Sequence, residues 1–355
     1  MRNPLRGRVL VFKVVKRPLT AVALVGAALA CTSSAAADES FEGNESPTFE
    51  HAAIPLAAGA GKFVFVSGGR DGRDWLWEGF GEAARPLRVP SAAYIDGLDV
   101  GTDSRGRPAA VYARCGALAG DPCDLYLFSF ASGRERRLRF SRRPCRETAP
   151  RIDRGVVVFY REARRSRRQS LRCSGGLFLK RPAGSLRRIA RASSGGFAVG
   201  GDFDYQRGVL AFSRTRAGEE DPELGTRYVT ELRLRIGGGP SRLLARAAES
   251  ISRSGTEGTG IGGLELSGGF VYWSRTVHPP VFEPGGRNDV VRTPVRGGPV
   301  TLLARAGRLW ATADPAGDDL HLYDFAVTAD ELLYRFAGSP DAQIGRVAPR
   351  PPAFR

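Results

Sequence analysis

The chain repeats one short hydrophobic pattern six times. Each copy is a run of apolar residues that ends in an aromatic residue, usually followed within a few positions by an arginine. The steps between consecutive aromatic residues are 47, 47, 53, 61 and 61 residues, and a repeat of this length predicts a solenoid or a propeller. The aligned aromatic residues are Phe65, Tyr112, Phe159, Phe212, Trp273 and Tyr334.

The residues around each copy predict β-strands rather than helices. A glycine turn stands before most copies, as at Arg105-Gly106 and Gly268-Gly269, because glycine adopts positive φ without a steric cost. A short apolar run, a second turn and another apolar strand follow in most repeats. The sequence also predicts an innermost strand before the first turn, at residues 97–100, 149–152, 203–205, 264–266 and 325–328.

Four antiparallel strands per repeat, arranged radially, form a β-propeller in which neighbouring sheets bury each other's faces. We therefore predict an all-β fold, with one propeller domain over residues 51–355 and six four-stranded blades. Seven blades are the alternative, which requires a degenerate unit within residues 307–319. The last repeat lacks an outer strand, and we expect the segment around residues 46–51 to supply it.

The first residues of the chain predict export. Six basic residues precede an apolar stretch at residues 19–30, which is shorter than the roughly 20 residues of a membrane-spanning helix. Ala35-Ala36-Ala37 is a signal-peptide cleavage motif, which would release a free protein after residue 37. Residues 28–31 instead resemble a lipobox, which would end the signal peptide at residue 30 and attach lipid to Cys31. Both interpretations place the protein outside the cytoplasm, secreted or lipid-anchored at the cell surface, with residues 38–50 as a flexible tether.

The remaining cysteines predict disulfide bonds. An even set of four follows the leader, and cysteines of exported proteins are normally oxidised. No CxxC pair or neighbouring histidine supports a metal site. Three pairings are open, and we favour the one that joins Cys115 to Cys123 and Cys145 to Cys173.

The charge of the chain is strongly positive but has an ambiguous meaning. The formal net charge of +16 falls to +10 when the six basic residues of positions 1–37 are removed (16 − 6 = 10). No recognition helix or RNA-binding motif accompanies the arginines, which argues against a nucleic-acid partner. One inter-strand loop is a candidate polyanion site or simply a solvated loop; its arginines are Arg161, Arg164, Arg165, Arg167, Arg168 and Arg172.

Catalytic motifs are missing from the sequence. The three histidines are far apart, and no G-x-S-x-G elbow, phosphate-binding loop or dinucleotide motif occurs. We therefore predict no catalytic residue, no metal and no cofactor. Carboxylates do recur in or beside the innermost strands, where they would line a central channel and bind a cation or a basic peptide, or cap turn amides. They are Asp99, Asp153, Asp204, Glu265 and Asp324.

Two repeats resemble a known family. Residues 103–138 and 154–190 are similar to the WD40-like (PD40) repeats of TolB-type propellers, through the turn Asp103-Ser104-Arg105-Gly106 and the hairpin Asp124-Leu125-Tyr126-Leu127. The resemblance implies a propeller of six or seven blades that binds proteins or ligands through its faces. It implies no particular partner.

These observations favour a monomeric, exported, non-catalytic scaffold. Its partner would be another envelope or extracellular protein or a surface glycan, with the membrane contacted only through the leader or a lipid anchor. A carbohydrate-active enzyme that uses the channel carboxylates is one alternative. A polyanion binder that uses the arginine loop is the other.

Overall fold

The computed structural model contains strands and turns throughout the residues that it describes. These are residues 55–68, 72–79, 84–117, 121–140, 145–162, 173–194, 197–221, 225–252, 255–278, 286–309, 321–327, 332–337 and 342–347. Within these segments, no helix has the length and apolar character of a membrane span. The leader, the tether, Cys31 and the predicted strand at residues 46–51 lie outside them.

The first three repeats form three separate four-stranded sheets, each an antiparallel meander. The first sheet comprises β1 (Leu56–Gly59), β2 (Lys62–Gly68), β3 (Asp74–Glu78) and β4 (Arg85–Pro86). The second comprises β5 (Tyr94–Thr102), β6 (Pro108–Cys115), β7 (Cys123–Ser129) and β8 (Arg134–Leu138). The third comprises β9 (Glu147–Asp153), β10 (Val156–Arg161), β11 (Gly176–Lys180) and β12 (Leu186–Arg191).

The fourth and fifth repeats share one nine-stranded sheet, which the sequence did not predict. Its strands are β13 (Ser193–Ser194), β14 (Phe197–Gln206), β15 (Val209–Asp221), β16 (Gly225–Ile236), β17 (Ser241–Ser252), β18 (Gly255–Ser267), β19 (Phe270–His278), β20 (Gly286–Pro294) and β21 (Thr301–Leu309). Strands β17 and β18 pair over only four residue pairs, from Glu249–Gly258 to Ser252–Gly255. The two repeats are fused because β15 to β18 are 12 or 13 residues long, whereas the strands of the first three sheets have at most nine.

The last repeat contributes β22 (His321–Val327), β23 (Leu332–Ala337) and β24 (Ala342–Val347), which form a three-stranded sheet within the described residues. Residues 310–319, where a seventh unit would lie, are outside the described part of the chain. Residues 307–309 belong to β21.

The inner strand of each repeat belongs to a closed cycle. Strands β1, β5, β9, β14, β18 and β22 contact one another in that order, and β22 contacts β1. A cycle of inner strands with antiparallel sheets radiating from it is a β-propeller, so the predicted fold class is confirmed. The predicted innermost strands fall within these elements, apart from residue 328, which is not described. The number of blades stays a prediction.

The hydrophobic core lies between neighbouring sheets. One cluster joins the first two sheets through Val64, Leu76 and Tyr112, all fully buried. A second joins the second and third sheets through Leu125 and Phe159. Each sheet therefore buries its faces against its neighbours, as expected of a radial repeat.

Glycine sets how closely the inner strands approach one another. A Cβ atom on Gly59 would lie 2.0 Å from the carbonyl oxygen of Val100, and one on Gly101 would lie 2.1 Å from that of Ile152. No side chain fits at such a distance. The inner strands β1, β5 and β9 can therefore nest only with glycine at these positions.

Both disulfides join the cysteines that the sequence favoured. Cys115 pairs with Cys123 across β6 and β7, at a sequence separation of 8. Cys145, just before β9, pairs with Cys173, just before β11, at a separation of 28. This pairing is thereby confirmed among the three that were open.

Candidate functional site: the central channel

All six inner strands line one cavity of about 1120 Å³. Their contacts around a closed cycle place this cavity in the central channel of the propeller. The turns that follow the inner strands form its mouth, where Lys62, Arg154 and Arg207 are among the lining residues. Concave surfaces to which many elements contribute are the usual location of ligand sites.

One position in each inner strand is equivalent throughout the ring. It pairs, across the ladder, with the residue directly before the aligned aromatic residue of its repeat. Four consecutive members are ionisable and the other two are alanine. We call these six positions the channel ring; in order, they are Ala57, Asp99, Arg151, Asp204, Glu265 and Ala326.

The carboxylates of the channel ring bond to the backbone of the next inner strand. The N–H of Ile152 donates to Asp99 at 2.5 Å, and the N–H of Val327 donates to Glu265. Asp204 accepts from the N–H of Leu266 at 2.5 Å. Each carboxylate therefore fastens its own strand to its neighbour. This resembles the amide-capping alternative, but the amides belong to the adjacent strand rather than to a local turn.

Arg151 is the cation of the channel ring, and it is the functional residue that the sequence reasoning missed. Its Nε lies 3.7 Å from Oδ1 of Asp204, and its guanidinium lies over the Phe203 ring, 5.6 Å from the centroid. The residues predicted to line the channel were carboxylates alone. Counting eight residues back from the aligned aromatic residue would have found Arg151 together with Asp204 and Glu265, whereas Asp99 lies 13 residues before Tyr112.

Burial controls the ionisation of these carboxyl groups. It raises the pKa of Asp204, which is 7% exposed, to about 7, with the nearby Asp99 raising it further and Arg151 opposing the shift. Burial likewise raises the pKa of Asp99 and raises that of Glu265 well above its usual value. Around neutral pH the ring therefore holds a carboxyl group poised between its protonated and ionised forms.

The other two predicted carboxylates occupy different places. Asp153 lies at the mouth, where it accepts the N–H of Arg207 at 2.7 Å and faces Nε of Arg154 at 3.4 Å. Asp324 lies in β22 opposite Arg335, and its side chain is outside the described part of the structure. Four of the five predicted residues thus line the cavity, and three of them share the channel ring.

The predicted polyanion loop requires a correction at Arg161. This residue is 7% exposed, its Nε donates to Oε1 of Glu147 at 3.1 Å, and its guanidinium lies 4.4 Å from the centroid of the Phe178 ring. Since it is buried and neutralised, it is not available to a polyanion. The other five arginines of the loop lie outside the described residues.

Metal ligation has little support within the described segments. One group of three potential ligands, Asp96 with Cys115 and Cys123, brings its ligand atoms within 4.8 Å of one another. Both sulfur atoms of this group are joined in a disulfide, so neither is the thiolate that a metal requires.

Comparisons with known proteins add structural neighbours but no family. No family model matches the chain, and no curated protein matches it. Several solved structures are similar at low identity. The β-propeller domain of the Trilobed protease from Pyrococcus furiosus has 12% identity and a TM-score of 0.43, over 84% of this chain and 82% of that chain. A mutant of the Aleuria aurantia lectin AAL, in complex with Fucα1-6GlcNAc, has 9% identity and a TM-score of 0.46, over 88% and 100%.

A puromycin-hydrolyzing peptidase of Mycobacterium tuberculosis has 12% identity and a TM-score of 0.46, over 86% of this chain and 55% of that chain. The chain thus spans about half the length of this peptidase. Similarities of this size carry no argument about ligand or activity. The fold assignment rests on the cycle of inner strands.

Proposed function

We propose that this protein is an exported, non-catalytic β-propeller that binds its ligand or partner protein at the mouth of the central channel. One observation carries the proposal: a cavity of about 1120 Å³ to which all six inner strands contribute. The two disulfides support export, because such bonds persist in oxidising compartments outside the cytoplasm. A surface glycan or another envelope or extracellular protein is the partner class that fits this location.

The use of the carboxylates favours binding over catalysis. Asp99 and Asp204 both accept backbone N–H groups at 2.5 Å, so each is held as a fastener between strands. A general acid or base must instead reach the substrate proton that it transfers. The scaffold hypothesis therefore fits these bonds better than the enzyme hypothesis.

One observation supports a carbohydrate-active enzyme as the second candidate. Asp204, with its pKa near 7, lines the same cavity as Asp99, and glycosidases pair a carboxylic acid of raised pKa with a second carboxylate. If this hypothesis holds, the purified protein hydrolyses a glycan, and Asp204→Asn abolishes the turnover. The scaffold proposal predicts binding without turnover.

The scaffold proposal is tested by obstructing the mouth. Ser267 ends an inner strand and lines the cavity, so Ser267→Trp should fill part of the opening. Ser129, at the end of a third strand outside the cavity lining, provides the matched control Ser129→Trp. The mature protein and both variants are applied to arrays of surface glycans and peptides. We expect the unaltered protein to bind particular glycans or peptides on the arrays. The Ser129→Trp variant should still bind them, and the Ser267→Trp variant should not. If Ser267→Trp binds the same array members as the unaltered protein, there is no ligand site at the mouth.

A further inference from the structure

A second, smaller cavity adjoins the mouth of the channel. It has a volume of about 240 Å³ and lies between β11 and β12 of the third sheet and strands β14, β15 and β16 of the nine-stranded sheet. Tyr205 lines both this cavity and the central one. A ligand at the mouth can therefore extend outward between the two sheets. We call this cavity the side groove.

The side groove carries three positive charges and no lining carboxylate. The cations are Arg181, Arg187 and Arg235. Nη1 of Arg235 donates to the carbonyl oxygen of Ile189 at 2.7 Å, and Nη2 donates to that of Gly238 at 3.1 Å. Carbonyl groups fix the guanidinium in place but do not neutralise its charge. The groove therefore holds a positioned cation that lacks an anionic partner among its lining residues.

The other two arginines of the groove are exposed. Neither Arg181 nor Arg187 forms a salt bridge with a carboxylate among the described residues. Guanidinium groups bind carboxylate and sulfate oxygens through two parallel hydrogen bonds. At the adjoining mouth Arg207 adds a further cation, whereas Arg154 faces Asp153 at 3.4 Å. The complementary ligand is thus an anion with hydrogen-bond acceptors.

We propose that the side groove binds one unit of an acidic saccharide. In this arrangement Arg181 and Arg187 hold the acidic group, and the half-buried ring of Tyr205 supports the sugar. A saccharide fits better than a nucleic acid, because the groove offers one aromatic ring rather than the series on which bases stack. The disulfides support a location outside the cytoplasm, where acidic glycans occur. This inference rests on the proposed function and adds the ligand class for the same mouth.

The test compares two variants of equal charge. Arg181→Ser/Arg187→Ser removes two cations of the side groove. Arg136→Ser/Arg188→Ser removes two exposed cations that line neither cavity, and Arg188 is the immediate neighbour of Arg187 in β12. Binding of trigalacturonate to the mature, disulfide-bonded protein is measured by calorimetry, with maltotriose as the uncharged comparison. We expect Kd to rise at least tenfold in the groove variant and less than twofold in the control, with maltotriose unbound.

Other outcomes would overturn the inference in distinguishable ways. If the unaltered protein does not bind trigalacturonate, or if both variants lose affinity for it equally, the side groove is not an acidic-saccharide site. Equally tight binding of a single-stranded oligonucleotide removes the saccharide class and leaves general polyanion attraction. If trigalacturonate fails while Ser267→Trp still abolishes binding on the arrays, this inference falls and the proposed function stands.

Discussion

Replacement of Asp204 by asparagine should change the pH dependence of stability in a defined direction. The folded protein holds the pKa of this carboxyl group at about 7, compared with 3.8 for an unperturbed aspartate. Between these values the folded state keeps a proton that the unfolded state has lost. The free energy of unfolding therefore falls by about 1.4 kcal/mol for each pH unit from roughly pH 4 to pH 7, and then levels off.

The full effect of Asp204 is thus about 4 kcal/mol, of which about 2 kcal/mol falls between pH 5 and pH 7. Asparagine cannot ionise, and its one side-chain oxygen can accept the N–H of Leu266 but not that of Tyr205 as well; this loss lowers stability equally at every pH. Stability relative to the unaltered protein should therefore rise in Asp204→Asn as the pH increases. The raised pKa values of Asp99 and Glu265 act in the same direction and leave a smaller slope in the variant.

The assay is urea unfolding at pH 5, 6, 7 and 8 with both disulfides intact, followed by tryptophan fluorescence. The control is Asp124→Asn, at an exposed carboxylate that pairs with Arg137 on the protein surface. The control should keep the slope of the unaltered protein. Equal slopes for Asp204→Asn and the unaltered protein would refute the assignment of this pH dependence to the channel ring.

Three further predictions concern the scaffold. Gly101→Ala should lower the free energy of unfolding by about 3 kcal/mol or more, because the added Cβ would meet the carbonyl oxygen of Ile152. The control Gly238→Ala adds a Cβ with no atom within 4 Å, so its melting temperature should stay close to that of the unaltered protein. Ala60→Asn should raise the free energy of unfolding by about 1 kcal/mol, because Ala60 has a φ of 48° in a hairpin turn that favours asparagine. The control Ala131→Asn, at an ordinary turn position, should leave the free energy of unfolding unchanged. Replacing Cys145 and Cys173 by alanine should lower the free energy of unfolding by about 1 kcal/mol more than replacing Cys115 and Cys123, because the first disulfide closes a longer loop. Urea unfolding measures the difference.

The sequence predicts the fold well where the repeat is expressed in local patterns. The aligned aromatic residues mark the second strand of each repeat, and the innermost strands follow from the turns beside them. The pairing of β17 with β18 was not predictable from local patterns, because it depends on how far these two long strands extend. Nothing in Glu249–Gly258 or its neighbouring pairs distinguishes this contact from an ordinary loop.

The channel was predictable in part for the same reason. Asp99, Asp204 and Glu265 could be identified because each lies in a predicted innermost strand. Their bonds to the next inner strand join residues 53 or 62 positions apart, which a local pattern does not reveal. Arg161 looks in the sequence like one more member of a basic loop, but it ends β10 and pairs with Glu147 across the ladder.

The nine-stranded sheet has a consequence for how the molecule opens. The fourth and fifth repeats share a ladder across β17 and β18, whereas the first three repeats form separate sheets. Separating the fused pair requires breaking backbone hydrogen bonds in addition to side-chain packing. Native-state hydrogen exchange should therefore show β14 to β21 opening as one cooperative segment. Local opening of the ring should concentrate at the junctions of the first three sheets, which are held by side-chain packing and, between the second and third sheets, by the bond from Ile152 to Asp99.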